Sequence, residues 1–122
     1  MSIQVKEVAF VFHPVTDIAR ARKFYEEFLG LKASVQVEIG PGLWWIEFDI
    51  AGVALAISNA VPGAPASSLT LEVASLDNAL AAARAAGVPI AFDVMEFPPC
   101  RLSAVKDPDG NQIGLHQRKA GA

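Results

Sequence analysis

His116, Glu72 and Glu47 are the side chains of this sequence best suited to acid–base work, and they are its candidate catalytic residues. An imidazole changes charge near neutral pH and can act as a base or a hydrogen-bond donor. A carboxylate on a partly apolar wall acquires a shifted pKa and can bind a cation or take a proton, which is the chemistry open to Glu72. Glu47 follows Trp44-Trp45, and a carboxylate beside an indole suits a flat or cationic ligand. Phe10 and Phe12 would give such a site an apolar floor. The candidate ligand-binding set is therefore Phe10, Phe12, Trp45, Ser68, Thr70, Glu72, Gly114 and His116.

Each of these has a plainer reading. His116 is also what a solvated residue at a fraying strand end looks like, and Glu72 an exposed rim or interface carboxylate. Trp44 and Trp45 fit interface packing equally well, and Phe10 and Phe12 can fill the space they line. Cys100 precedes Arg101, whose cation would lower a thiol pKa. A nucleophilic cysteine also needs a base, and no spacing brings His13 or His116 to it. Cys100 therefore reads as a half-buried structural thiol. His13 precedes Pro14 and reads as a rim or interface residue.

The elements that must position these residues are legible from periodicity. Val8 to Phe12 is an apolar and aromatic run, a buried strand closed by His13-Pro14. From Ile18 to Leu29, residues Ile18, Ala21, Phe24 (or Tyr25) and Phe28 form one helical stripe, started at Thr16-Asp17 and stopped by Gly30. Lys32 to Ile39 and Leu43 to Ile50 alternate with period two. Trp44, Ile46, Phe48 and Ile50 share one face, Trp45, Glu47 and Asp49 the other. Val53 to Ser58 is a further strand, and Asn59 to Ala66 the linker.

The pattern then recurs. Ser68 to Val73 reads as a strand, with Ser68, Thr70 and Glu72 on its polar side. Leu76 to Ala86 reads as a helix capped by Ser75. Pro89 to Val94, Arg101 to Lys106 and Gln112 to His116 read as strands, the last two joined by the turn Asp107-Pro108-Asp109-Gly110, with a polar, fraying tail. A shift of 58 residues lays Gly52 on Gly110, Asp49 on Asp107, Phe10 on Ser68 and Val15 on Val73. The chain therefore reads as an internal duplication, residues 1–60 and 61–122 of a single domain.

Bulk properties narrow the function class. The 122 residues are 52% hydrophobic, with a net charge of −3. This fits one domain with large buried faces or a self-association surface. No basic block marks a nucleic-acid partner, and no run of roughly 18 apolar residues marks a membrane span. A single cysteine fits a reducing compartment, and Met1 to Glu7 carries charge too early for a secretory signal. The expectation is a cytoplasmic protein with small-molecule or protein partners.

His13-Pro14-Val15-Thr16-Asp17, then Ala19-Arg20-Ala21, Phe24-Tyr25 and Leu29-Gly30-Leu31, with Asp107-Pro108-Asp109-Gly110-Asn111 and Ile113, resembles the vicinal-oxygen-chelate superfamily of glyoxalase, bleomycin-resistance and dioxygenase proteins. The resemblance covers nearly the whole chain. It implies an α+β fold of two tandem βαβββ modules forming a cup-shaped mixed sheet, with helices on the convex side and ligand in the cup. It also implies a homodimer. The superfamily divides into divalent-metal enzymes and metal-free proteins that sequester drugs.

In the metal-dependent members the ligands occupy four strand positions related by the duplication. The resemblance maps these onto Phe10, Ala56, Ser68 and Gly114. Three of these have no ligating side chain, and Ser68 is a poor neutral ligand, whereas a metal site needs three or four strong donors. The expectation is a protein without a divalent metal or other cofactor that binds a small molecule or drug in its cup. The alternative is a glyoxalase-like lyase or isomerase working through His116, Glu72 and Glu47. A third reading is an interaction module whose cup is filled by its own side chains.

Overall fold

The computed structural model describes residues 4, 8–60, 69–98 and 100–120. Two four-stranded mixed sheets carry the fold. The first has the order β1 (Val11–Pro14), β4 (Val53–Ser58), β3 (Leu43–Ile50), β2 (Ala33–Gly40). The second has the order β5 (Thr70–Glu72), β8 (Gln112–Arg118), β7 (Cys100–Lys106), β6 (Ile90–Glu96). In each, the first strand pairs parallel with the last and the other pairs are antiparallel. This is the α+β arrangement of two βαβββ modules that the resemblance implies.

The repeat is visible in the register. Phe12 faces Ala56, and Thr70 faces Gly114; both partners lie 44 residues on, and the two pairs are 58 residues apart. Gly52 and Gly110 both hold positive φ, 93° and 87°, in matching turns. The correspondence slips in one strand. Ile46 faces Ile57, while Leu115 faces Ser103, one residue short of the shift. Asp49 therefore matches Lys106 by pairing, not Asp107.

Several boundaries move from those read in the sequence. β1 begins at Val11 and runs through Pro14. It is an edge strand, and Val15 N–H donates to the Ser58 carbonyl at 3.0 Å. Alternation then turns position 14 toward the free edge, where a missing N–H costs nothing. β8 continues to Arg118 because Cys100 and Arg101 pair with Arg118 and Gln117. His116 is thus inside a strand, not at a frayed end. The segment 61–66 of the expected linker lies outside the described residues.

The first helix also differs. α1 (Ile18–Arg22) is capped by Asp17, which accepts the Arg20 N–H, and passes into a π-helical segment, Lys23–Phe28. The wider turn buries both Phe24 and Tyr25, where a regular 3.6-residue stripe would have favoured one. α2 (Leu76–Ala85) starts at Ser75, as its sequence requires.

Both modules share one apolar core. Tyr25, Ile46, Phe48, Leu55 and Ile57 meet Leu76, Leu80, Val105, Ile113 and Leu115 in it. Burying side chains of this size stabilises by about 1.5–3 kcal/mol each. A polar seam crosses this core. Tyr25 donates to Asp107 Oδ2 at 2.8 Å, and Asn111 Nδ2 reaches both Asp107 Oδ2 and the Pro14 carbonyl. At the rim, Thr16 and Arg20 bind Asp109. The two halves are thereby fixed around the Asp107–Asn111 turn.

Candidate functional site

Each sheet turns one face to its helix and leaves the other open. In β3 the alternation buries Ile46 and Phe48 and places Trp45, Glu47 and Asp49 on the open side. Phe10 and Phe12 join them there. Phe12 stacks on Trp45 at 5.6 Å with planes 4° apart, and Phe10 meets the same ring edge-on at 5.2 Å. The Trp45 indole N–H donates to Glu47 Oε2 at 2.7 Å. Glu47 is thus committed to orienting an aromatic cluster. Phe10 remains 44% exposed, so the cluster offers an apolar surface to an incoming ring.

The second sheet gathers the remaining candidates. Thr70 lies opposite Gly114, and Glu72 opposite His116. Glu72 Oε1 accepts the His116 Nδ1–H at 2.5 Å, and Glu72 Oε2 accepts the Arg118 backbone N–H at 2.8 Å. These donors, the backbone N–H first and the imidazole second, hold the Glu72 carboxyl below its ordinary value. The Glu72 carboxyl is thus shifted, as expected for a cup-wall carboxylate, and the cause is hydrogen bonds to an exposed group. A carboxylate only accepts, so the neutral imidazole carries its proton on Nδ1 and its lone pair on Nε2. This is the arrangement of an oriented histidine that can accept a proton from a ligand.

Gly114 does not leave room beside His116. A Cβ built there would stand 2.5 Å from Thr70 Oγ1, so Thr70 already occupies that space. Ser68 lies outside the described residues. The strand pairings keep the aromatic cluster and the Glu72–His116 pair on separate sheets.

Three of the four positions that would hold a divalent metal are described, and they do not fit one. Phe10 packs against an indole, Ala56 is a buried methyl, and Gly114 abuts Thr70. Among the described residues no cluster of three or more His, Cys, Asp or Glu side chains could hold a metal ion.

His13 is not on a rim. It is fully buried, and its Nδ1 bonds Tyr25 Oη at 2.7 Å. Since Tyr25 donates its only proton to Asp107, His13 Nδ1–H must be the donor in that pair. Burial lowers the His13 pKa, against the opposing pull of Asp107, and burial with the nearby Asp107 charge drives the Tyr25 pKa far up. One cue to this seam is legible in the sequence, a tyrosine on a buried stripe, whose hydroxyl requires a partner. Cys100 is half-buried, and Arg101 is engaged by Asp77 and Glu96.

Residues 8–115 match the model of the glyoxalase/bleomycin resistance protein/dioxygenase superfamily. The chain belongs to that superfamily. No curated protein matches it in sequence. Among solved structures of superfamily folds, TnmS3, an antibiotic-binding protein from Streptomyces sp. CB03234, is similar at 26% identity and a TM-score of 0.77, covering 97% of this chain and all of that one. A superfamily member from Sphaerobacter thermophilus DSM 20745 shares the fold at 20% identity and a TM-score of 0.74, over 93% of this chain and 98% of its own. The fosfomycin resistance protein FosX from Listeria monocytogenes shares it at 15% identity and 0.75, over 96% and 97%. The described helices include none long and apolar enough to cross a membrane.

Proposed function

We propose that this superfamily member is a metal-independent small-molecule-binding protein that sequesters a flat, partly aromatic ligand, such as a drug, on its open sheet faces. The observation that carries this is the content of the metal positions: three hold Phe10, Ala56 and Gly114, none of which has a side chain that can ligate a metal, and a Cβ at 114 would meet Thr70. The same faces offer what a binding protein needs, a stacked aromatic surface at Phe10, Phe12 and Trp45 and an oriented hydrogen-bonding pair at Glu72 and His116. Thr70 and Ser68 complete the expected set. The likeness to an antibiotic-binding protein supports the same class of ligand.

The proposal includes a cytoplasmic homodimer. Val35, Val37 and Ile39 are all exposed along β2, and a second copy would cover such a strip. The deciding experiment is metal analysis of the purified protein together with tryptophan-fluorescence titration against planar aromatic compounds. Saturable quenching in a protein free of stoichiometric metal is expected. Near-stoichiometric divalent metal required for binding would overturn the proposal.

The Glu72–His116 pair favours one second reading, a lyase or isomerase in which His116 Nε2 removes a proton from the bound ligand. Turnover that is lost in H116N while ligand affinity is kept would select it.

A further inference from the structure

A cleft of about 670 Å³ lies on the helical side of the molecule, away from the open sheet faces. One wall is α1 with its π-helical continuation; the other is the Ala86–Pro89 connection and the end of β7. Its floor is apolar, with Phe24, Phe28 and Val88. Its rim carries Arg20, Lys23 and Lys106 against one carboxylate, Glu27. With Arg20 paired to Asp109, Lys23 and Lys106 face Glu27 alone, a small local excess of positive charge in a chain of net charge −3.

These cations are not all committed to the fold. Arg20 is held by Asp109 at 3.1 Å. Among the described residues, neither the Lys23 nor the Lys106 ammonium has a hydrogen-bond or ion-pair partner, and both side chains are exposed. The π-helical segment also bears on the cleft. It places Lys23, Phe24, Glu27 and Phe28 together on the cleft wall, and single-turn π segments inside helices concentrate at functional positions. The opposite wall is anchored, because Asp109 ties the Asp107–Asn111 turn to Thr16 and Arg20.

We infer that this cleft is a second binding site, for a small amphipathic carboxylate whose aromatic or aliphatic body lies on Phe24, Phe28 and Val88 and whose anionic head meets Lys23 and Lys106. An apolar cavity with a few convergent charges is the usual form of a small-molecule site, and the charge excess selects an anion over its neutral counterpart. The inference is independent of the open-face reading.

The test is a nuclear magnetic resonance titration of the full chain with 4-phenylbutyrate and, separately, its neutral amide. Saturable amide shifts are expected at Phe24, Phe28, Gly87, Val88 and Lys106. The carboxylate is expected to bind at least about fivefold more tightly than the amide, consistent with a charge-assisted contact. K23Q/K106Q should erase that preference. In the unsubstituted protein, raising salt to about 0.3 M should weaken the carboxylate alone, because exposed charges are screened; this arm stands even if the double variant does not fold. Equal binding of the two compounds, no saturation, or shifts at Trp45, Glu72 and His116 in place of the cleft would each overturn the inference. The last result would leave the open-face function intact.

Discussion

Tyr25 Oη and Asp107 Oδ2 lie 2.8 Å apart across the boundary between the two modules, 82 residues apart in the chain. Asp107 also accepts the Asp109 and Asn111 backbone N–H groups and the Asn111 side chain. A carboxylate 3% exposed is tolerable only because these donors replace water. The same tyrosine accepts from His13, so one hydroxyl joins β1, the first helix and the β7–β8 turn.

Y25F removes that hydroxyl and leaves His13 Nδ1–H without its acceptor in the core. The expected loss is about 1.5–3 kcal/mol, the range for hydrogen bonds to charged groups. Urea unfolding should show a lower midpoint at unchanged slope. An unaltered midpoint would mean that the seam contributes nothing.

His13 supplies a pH dependence. Its folded pKa lies below the ordinary 6.5 because burial disfavours the imidazolium. A depressed histidine pKa means that the unfolded chain binds the proton more readily. Its contribution to stability is therefore full above pH 6.5 and is lost as pH falls toward the folded value. The His13 ring-proton resonance should titrate with a midpoint below 6.5; a midpoint at or above it contradicts the burial argument.

Glu72 acts in the same direction at lower pH. Its folded carboxyl titrates below the ordinary 4.5, so its contribution is present above 4.5 and is lost as pH falls through the folded value. E72Q should therefore show a flatter acid limb of stability than the unsubstituted protein. His116 should also lose its fixed ring orientation, read as line broadening of its ring protons.

Gly114 is a packing prediction. G114A forces a methyl to within 2.5 Å of Thr70 Oγ1 and should cost about 1–3 kcal/mol. T70A in the same chain removes the nearest atom but leaves the Cβ at 3.1 Å, so it should return part of that loss. The two changes should be non-additive in a double-mutant cycle.

Much of this was readable from local pattern. The alternation in Leu43–Ile50 placed Trp45 and Glu47 on the face opposite Ile46 and Phe48, and Ser75 announced its helix. The 58-residue shift was legible too, and it relates the pair Phe12–Ala56 to the pair Thr70–Gly114. What escaped depends on non-local contact. Nothing near His13 in sequence signals Tyr25 Oη or the core around it, and a proline after it read as a strand end because edge position is a tertiary property. The Glu72–His116 bond spans 44 residues, so both residues were legible as candidates but not as a pair. The π-helical turn was hidden because a 3.6-residue stripe is the default reading of its apolar residues.

The contact between Thr70 and Gly114 also constrains history. Any side chain at position 114 meets Thr70 at its first carbon. A smaller residue at 70 eases that contact in part, so a side chain gained at 114 before such a change starts from a less stable fold. One threonine thus makes the order of substitutions at 70 and 114, and not merely their number, decide what each step costs the fold.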